Sequence, residues 1–431
     1  MQNTCLLYPM PAGTENKMIH NIKMEKADIK ILGKYKEEAE KEWTAILQYW
    51  IKYTPDVTNG GFYGSVNYDN IPGQDAPKGI VLNSRILWTF SASFLHFENK
   101  DYLDMAHRAF NYIVDYFIDN EFGGVYWSVD SKGKMLDGRK QIYGLAFCMY
   151  AMSEYYKASK NGAALELCKK LFRTIEQYSF DKKNGGYLEA FTREWNLPDD
   201  LRLSDKDANE KKTMNTHLHI IEAYANLYTV WPNKLLAEKI AGLLNVFKEY
   251  IIDKNSFHLN LFFDEAWKVK SSVVSFGHDI EAAWLLQDCA TATGNEAAIN
   301  EYKNFAVKMA DAAASGLDND GGLWYEYEPG NKTWIKEKHH WPQAEAMVGF
   351  MNEYQISGNI KYLQHSLNSW QFIKNKILDE NNGEWFWGVN EDGSIMQQQD
   401  KAGFWKCPYH NSRACMEIIN RTNEILKQKK V

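Results

Sequence analysis

Cysteine is scarce and scattered: six residues, at 5, 148, 168, 289, 407 and 415, with no pair spaced Cys-x-x-Cys. That pattern argues against a zinc knuckle or a disulfide framework. Reduced thiols in a cytoplasmic protein are the expectation. No block of Lys and Arg is dense enough to follow a phosphate backbone, and the net charge is −7, so nucleic acid is not expected as a partner. No apolar run is long enough to span a bilayer, so no membrane partner is expected either. The N-terminus, MQNTCLLYPMPAGTENKM, lacks a basic start and prolines break its apolar run, which does not read as a signal peptide. Residues 1–32 are expected to be a flexible extension and 33–431 a single domain, with a monomer as the favoured state.

Aromatic residues, by contrast, are plentiful. They make up 14% of the 431 residues, with 15 Trp and 25 Tyr. A chain that is 45% hydrophobic uses some of these rings as core. Tyr and Trp also favour half-wet sites, where flat faces can stack on sugars.

A turn motif recurs along the chain: NGGFYG at 59–64, FGGVYW at 122–127, NGGYLEA at 184–190, DGGLWYEY at 320–327 and NGEWFWG at 382–388. The first glycines stand at 60, 123, 185, 321 and 383, giving steps of 63, 62, 136 and 62. The long step holds two units, and the missing copy falls at 253–267, DKNSFHLNLFFDEAW, which keeps the turn but lacks the glycines. Between the turns lie pairs of segments with apolar residues at i, i+3 and i+4, twelve helices in all. The Asn/Asp-Gly turns followed by aromatics predict short hairpins. Six helical hairpins in tandem cannot bury their faces singly and are expected to close into an all-α (α/α)6 barrel, with an open solenoid as the alternative.

The helices that follow each turn begin NSRILW, QIYGLAF, HLHIIEAY, GHDIEAAW, WPQAEAM and YHNSRACM. Three align as His219-x-x-Glu222-Ala, His278-x-x-Glu281-Ala and His410-x-x-Arg413-Ala; a fourth gives Pro342-x-x-Glu345-Ala. Equivalent positions in a toroid face one cavity, and Arg85 and Tyr143 enter the same ring from the first two units. His217, two residues from His219, points elsewhere on the helix and reads as structural, as do His20, His96, His107, His258 and His365.

Three chemistries remain open for such a ring. A metal site is one, although the di-iron pattern runs Glu-x-x-His and here the order is reversed, so no metal is expected. A glycoside hydrolase is another; it needs two carboxylic acids across the cleft, and Glu222, Glu281 and Glu345 are available but one turn behind the leading residues. The third is proton abstraction beside a carbonyl, with a histidine on each face of the substrate and an arginine and tyrosine on the developing enediolate. In that reading Glu281 orients His278, and imidazole, with a pKa near 6.5, both takes and gives the proton.

The stretches MNTHLHIIEAYANLY, FGHDIEAAWLL, WPQAEAMVGF and WKCPYHNSRACMEII resemble the cellobiose 2-epimerases of the N-acylglucosamine 2-epimerase superfamily, over about Trp43 to Arg421. The resemblance implies an (α/α)6 barrel, no cofactor and no metal. It also implies interconversion of glucose and mannose at the reducing end of β-1,4-linked disaccharides such as cellobiose, lactose or mannobiose. An N-acylglucosamine epimerase or a mannose isomerase is the alternative within the superfamily. By the same resemblance His278 and His410 are the acid–base pair, with Glu281 beside His278. Arg85, Tyr143, Asn215 and His219 would hold the opened C1–C2 end; Trp341 and Trp405 would stack on sugar, and Glu345 would contact substrate. The chain departs from the family at His340, where members often carry a second tryptophan.

Overall fold

The computed structural model describes residues 26–427. It contains twelve α-helices arranged as two concentric rings. The inner ring is α2 (Ile80–Phe97), α4 (Ile142–Ser159), α6 (Met214–Val230), α8 (Phe276–Ala292), α10 (His340–Ser357) and α12 (Tyr409–Lys427). The outer ring is α1 (Lys26–Tyr53), α3 (Lys100–Tyr116), α5 (Gly162–Tyr178), α7 (Lys234–Val246), α9 (Glu296–Ala313) and α11 (Ile360–Phe372). Each inner helix packs on the next and α12 returns to α2, while α1 packs on α12. The toroid is therefore closed, as expected, and the open solenoid is excluded.

The helices differ as their positions require. From Ile80 to Ser93 every residue of α2 is buried, as befits a helix walled on all sides, whereas α3 buries only one stripe. Five outer helices, α3, α5, α7, α9 and α11, start at an asparagine whose side chain accepts a backbone N–H of the first turn: Asn99, Asn161, Asn233, Asn295 and Asn359. Such caps satisfy donors that the helix itself cannot.

Six turns repeat the same closure, a single antiparallel bridge: Pro55 with Phe62, Ile118 with Val125, Phe180 with Tyr187, Ile252 with Leu259, Leu317 with Leu323, and Leu378 with Trp385. The unit without glycines closes as the others do, with Phe257 at φ 61° where the first unit has Gly60 at 79°. Five units add an ion pair, buried in four of them, that ties the turn to the strand or loop leading to an inner helix. These are Lys78–Asp56, Lys140–Asp119, Lys212–Asp181, Lys338–Asp318 and Lys401–Asp379, all at 2.7–2.8 Å.

Two expectations need adjustment. The hairpins are only partly local: most ladders join neighbouring units, such as Lys78–Gly79 with Ser128–Val129 and Val274–Ser275 with strand Glu326–Glu328. Lacing each unit to the next satisfies edge groups that a two-residue strand would leave open. Residues 1–25 of the expected extension lie outside the described residues. Its last part is the start of α1, where Leu32 is fully buried at 0% exposure. Among the described residues, no helix is long and apolar enough to cross a membrane.

Candidate active site

The inner helices all begin at the end of the barrel that carries the inter-unit ladders, so their first turns converge there. His278 on α8 and His410 on α12 are separated in the ring by α10, which supplies Trp341 between them. The Trp341 ring centre lies 4.8 Å from that of His278 and 5.8 Å from that of His410. Gly277 makes this possible, because a Cβ there would come within 2.6 Å of the Trp341 ring. On the far side, Arg85 donates to the Tyr143 hydroxyl at 2.8 Å and lies over the Phe147 ring. Tyr143 in turn meets the edge of His219, with centres 5.0 Å apart, and that of Trp405 at 6.0 Å. Asn215, one turn before His219, has a buried Oδ1 without a hydrogen-bond partner.

Beneath the histidines lies a charged floor. Arg413 reaches three carboxylates: Glu222, Glu281 at 2.9 Å and Glu345 at 2.7 Å. Glu222 also accepts from the Tyr409 hydroxyl and bonds His219 Nδ1 at 2.9 Å. Glu345 bonds His410 Nδ1 at 2.6 Å and accepts from Trp284 Nε1 at 3.0 Å. These carboxylates can hold Nδ1–H on His219 and His410, which leaves each Nε2 as the basic nitrogen.

The expected pairing of Glu281 with His278 is not what the structure has. His278 Nδ1 is bonded by the Ser275 hydroxyl at 2.8 Å, and Glu281 is held by Arg413. The reason is competition: a buried carboxylate gains more from a guanidinium than from a neutral imidazole. His219 and Glu222 do form the three-apart pair, so the spacing permits it without requiring it. Glu345, expected to touch substrate, is hydrogen-bonded instead to His410, Arg413 and Trp284. His340 does not offer a stacking face, since it is 2% exposed and its Nδ1 meets the Trp387 carbonyl at 3.1 Å. His217 is structural, bonded to the Thr213 carbonyl and the Tyr187 N–H; His20 lies outside the described residues.

Proton affinities differ from the ordinary imidazole value assumed from sequence. Burial, followed by the neighbouring His219, pushes His278 down to about 3. Burial and the nearby Arg85 and Arg413 guanidiniums hold His410 well below 6.5, and burial lowers His219 against the pull of Glu222. All three rings are uncharged near neutral pH, so each has a free nitrogen lone pair, and burial makes each imidazolium a strong proton donor once formed. Burial and the Glu345 carboxylate push Glu281 up to about 8, whereas for Glu222 Arg413 and His219 outweigh burial and lower it.

Glu281, Glu345 and His410 bring ligand atoms within 4.8 Å of one another, a group that could be taken for a metal centre. The Arg413 guanidinium, bonded to both carboxylates, already supplies the positive charge there. Activity is therefore expected to survive exhaustive chelation unchanged, as assayed after dialysis against a strong chelator; a loss restored by a divalent ion would refute this.

Sequence reasoning missed Ser275, Tyr409, Phe147, Trp127 and Trp387. Trp127 packs 5.8 Å from Trp405, and Phe147 4.6 Å from His219. Of these, Tyr409 and Ser275 were adjacent to quoted histidines or helix starts and lay within reach of a capping argument.

A closed (α/α)6 barrel with a polyhistidine mouth over a charged floor defines the class. The chain belongs to the N-acylglucosamine 2-epimerase family, whose sequence profile matches residues 61–414. It is 48% identical over 385 residues to the cellobiose 2-epimerase of Bacteroides fragilis, covering 89% of this chain and 98% of that one. Among solved structures, the cellobiose 2-epimerase of Spirochaeta thermophila DSM 6192 superposes with a TM-score of 0.88 at 36% identity, covering 93% of this chain and all of that one. That of Bacillus thermoamylovorans B4167 gives 0.85 at 38%, covering 91% of this chain and 99% of that one. The protein is a carbohydrate epimerase, an enzyme of the isomerase class.

Proposed function

We propose that the protein inverts C2 of the reducing-end residue of β-1,4-linked disaccharides, interconverting glucose and mannose through an enediolate. The observation that carries this reading is the packing of both His278 and His410 against Trp341. A sugar stacked on that ring has both neutral imidazoles beside it, one to serve each face of C2.

His410 is the better base at the outset. Its Nδ1–H is held by Glu345, so Nε2 takes the C2 proton and the imidazolium that forms is paired with a carboxylate. Negative charge then develops on the C1–C2 oxygens, where Arg85 and Tyr143 are already oriented toward one another and need little rearrangement to stabilise it. That charge favours protonation of His278 from solvent, and His278 Nε2 returns a proton to the opposite face of C2. His410 releases its proton to solvent, which balances the cycle. The same two groups can shuttle the O1 proton to the ring oxygen when the hemiacetal opens.

The test is a substrate panel: cellobiose, β-1,4-mannobiose, N-acetylglucosamine and mannose, each followed by NMR. Epimerised disaccharide is the expected product. Turnover of the monosaccharides alone would replace this reading by a mannose isomerase or N-acylglucosamine epimerase, and released monosaccharide by a hydrolase.

A further inference from the structure

The two histidines beside Trp341 are held by different partners. His410 leans on a carboxylate, whereas His278 has only the Ser275 hydroxyl, at 2.8 Å. Ser275 is the N-cap residue of α8, a position where serine normally accepts a backbone N–H of the first helical turn. Here it makes no such bond. The N-cap residue of α6, Thr213, does cap its helix, accepting from the Thr216 N–H. The helix start of α8 has thus given up a stabilising contact, and the released hydroxyl meets the imidazole three residues on.

The rest of the local structure keeps that hydroxyl in place. Ser275 is 1% exposed, and its backbone is paired with Glu326 in the ladder between units. Trp341 packs against both Gly277 and His278, which narrows the room in which the imidazole can turn away from Ser275.

We propose that Ser275 is a positioning residue of the reaction: by accepting Nδ1–H it holds His278 in the tautomer whose Nε2 carries the proton to and from substrate. The same tautomer serves both protonation states, because Nδ1–H is present in imidazole and imidazolium alike. A hydroxyl fixes the ring without a charge, so it does not stabilise the imidazolium as Glu345 does for His410. His278 is thereby the readier proton donor of the two, and the site is asymmetric by construction.

The inference rests on the epimerase reading for its kinetic arm, but its first test does not. Nitrogen-15 NMR of the imidazoles should show His278 of the wild type protonated at Nδ1, and a mixture of tautomers in Ser275→Ala. With cellobiose as substrate, Ser275→Ala should lose kcat by about tenfold, the lower end of what removing a histidine's orienting partner costs at metal sites, with KM little changed. Ser275→Thr should restore both. Because the hydroxyl makes no cap bond, Ser275→Ala loses only its hydrogen bond to His278, and its melting temperature should fall by a few degrees at most. An unchanged tautomer in Ser275→Ala would overturn the proposal, as would a kcat loss that Ser275→Thr fails to restore. A protein that turns over no sugar at all would defeat the epimerase reading and leave the tautomer result to decide this one.

Discussion

In heavy water the wild-type enzyme is expected to place deuterium at C2 of its product, and His278→Asn and His410→Asn to epimerise about 10²–10⁴-fold more slowly, the usual cost of losing a positioned proton carrier. The reason is geometric. The two imidazoles stand on different helices against the same Trp341 ring, and each is uncharged near neutral pH, so each can exchange a proton with solvent between turnovers. Removing one histidine leaves the other able to abstract a proton and return it on its own face. Each single variant should therefore label one epimer at C2 without inverting it, and the two variants should label opposite epimers. Proton NMR of both sugars at C2 measures this directly. An unlabelled wild-type product would point to direct hydride transfer, and a variant that labels both epimers equally would mean that one base serves both faces.

What the sequence disclosed and what it hid follow from the range of the interactions. The turn repeat and the helix periods are local, so the sixfold count, the closed barrel and the ring of His219, His278, His410 and Arg85 could be read from spacing. The aspartate–lysine pairs, such as Asp56 with Lys78, are nearly as regular, but the partners stand 20–31 residues apart and no local pattern couples them. The five asparagine caps were in plain view at 99, 161, 233, 295 and 359 and went unread. The partners of Glu281 and Glu345 were not legible, because they are chosen across the barrel. His410-x-x-Arg413 looked like a variant of His-x-x-Glu until the fold placed one guanidinium among three glutamates. Equivalent positions carrying three acids and one base were a hint that charge would be balanced at the axis.

That balance makes Arg413 the residue whose loss should cost most in stability. Its guanidinium is buried against Glu222, Glu281 and Glu345, and over the rings of Tyr409 and Trp284. Arg413→Met keeps much of the volume and removes the charge, leaving the carboxylates buried without their shared partner. Breaking a buried pair in this way typically costs about 3–5 kcal/mol. The cost should depend on pH, with a definite sign. Burial and Glu345 already raise Glu281 above its ordinary value, to about 8. A carboxyl raised on folding binds its proton in the native state first, so its contribution to stability is lost as pH rises through the folded value. Arg413 pulls both Glu281 and Glu222 downward, so without it these two acids hold their protons to higher pH and this loss grows. The histidines act in the same direction: Arg413 helps to hold His410 and His219 below 6.5, a shift that weakens the native state as pH falls below that value. Its removal relieves that acid penalty. Urea unfolding should therefore show Arg413→Met less stable than wild type by a margin that widens from about pH 6 to about pH 8. A margin that is constant across that range, or that narrows toward the alkaline side, would mean that packing rather than charge is what Arg413 contributes.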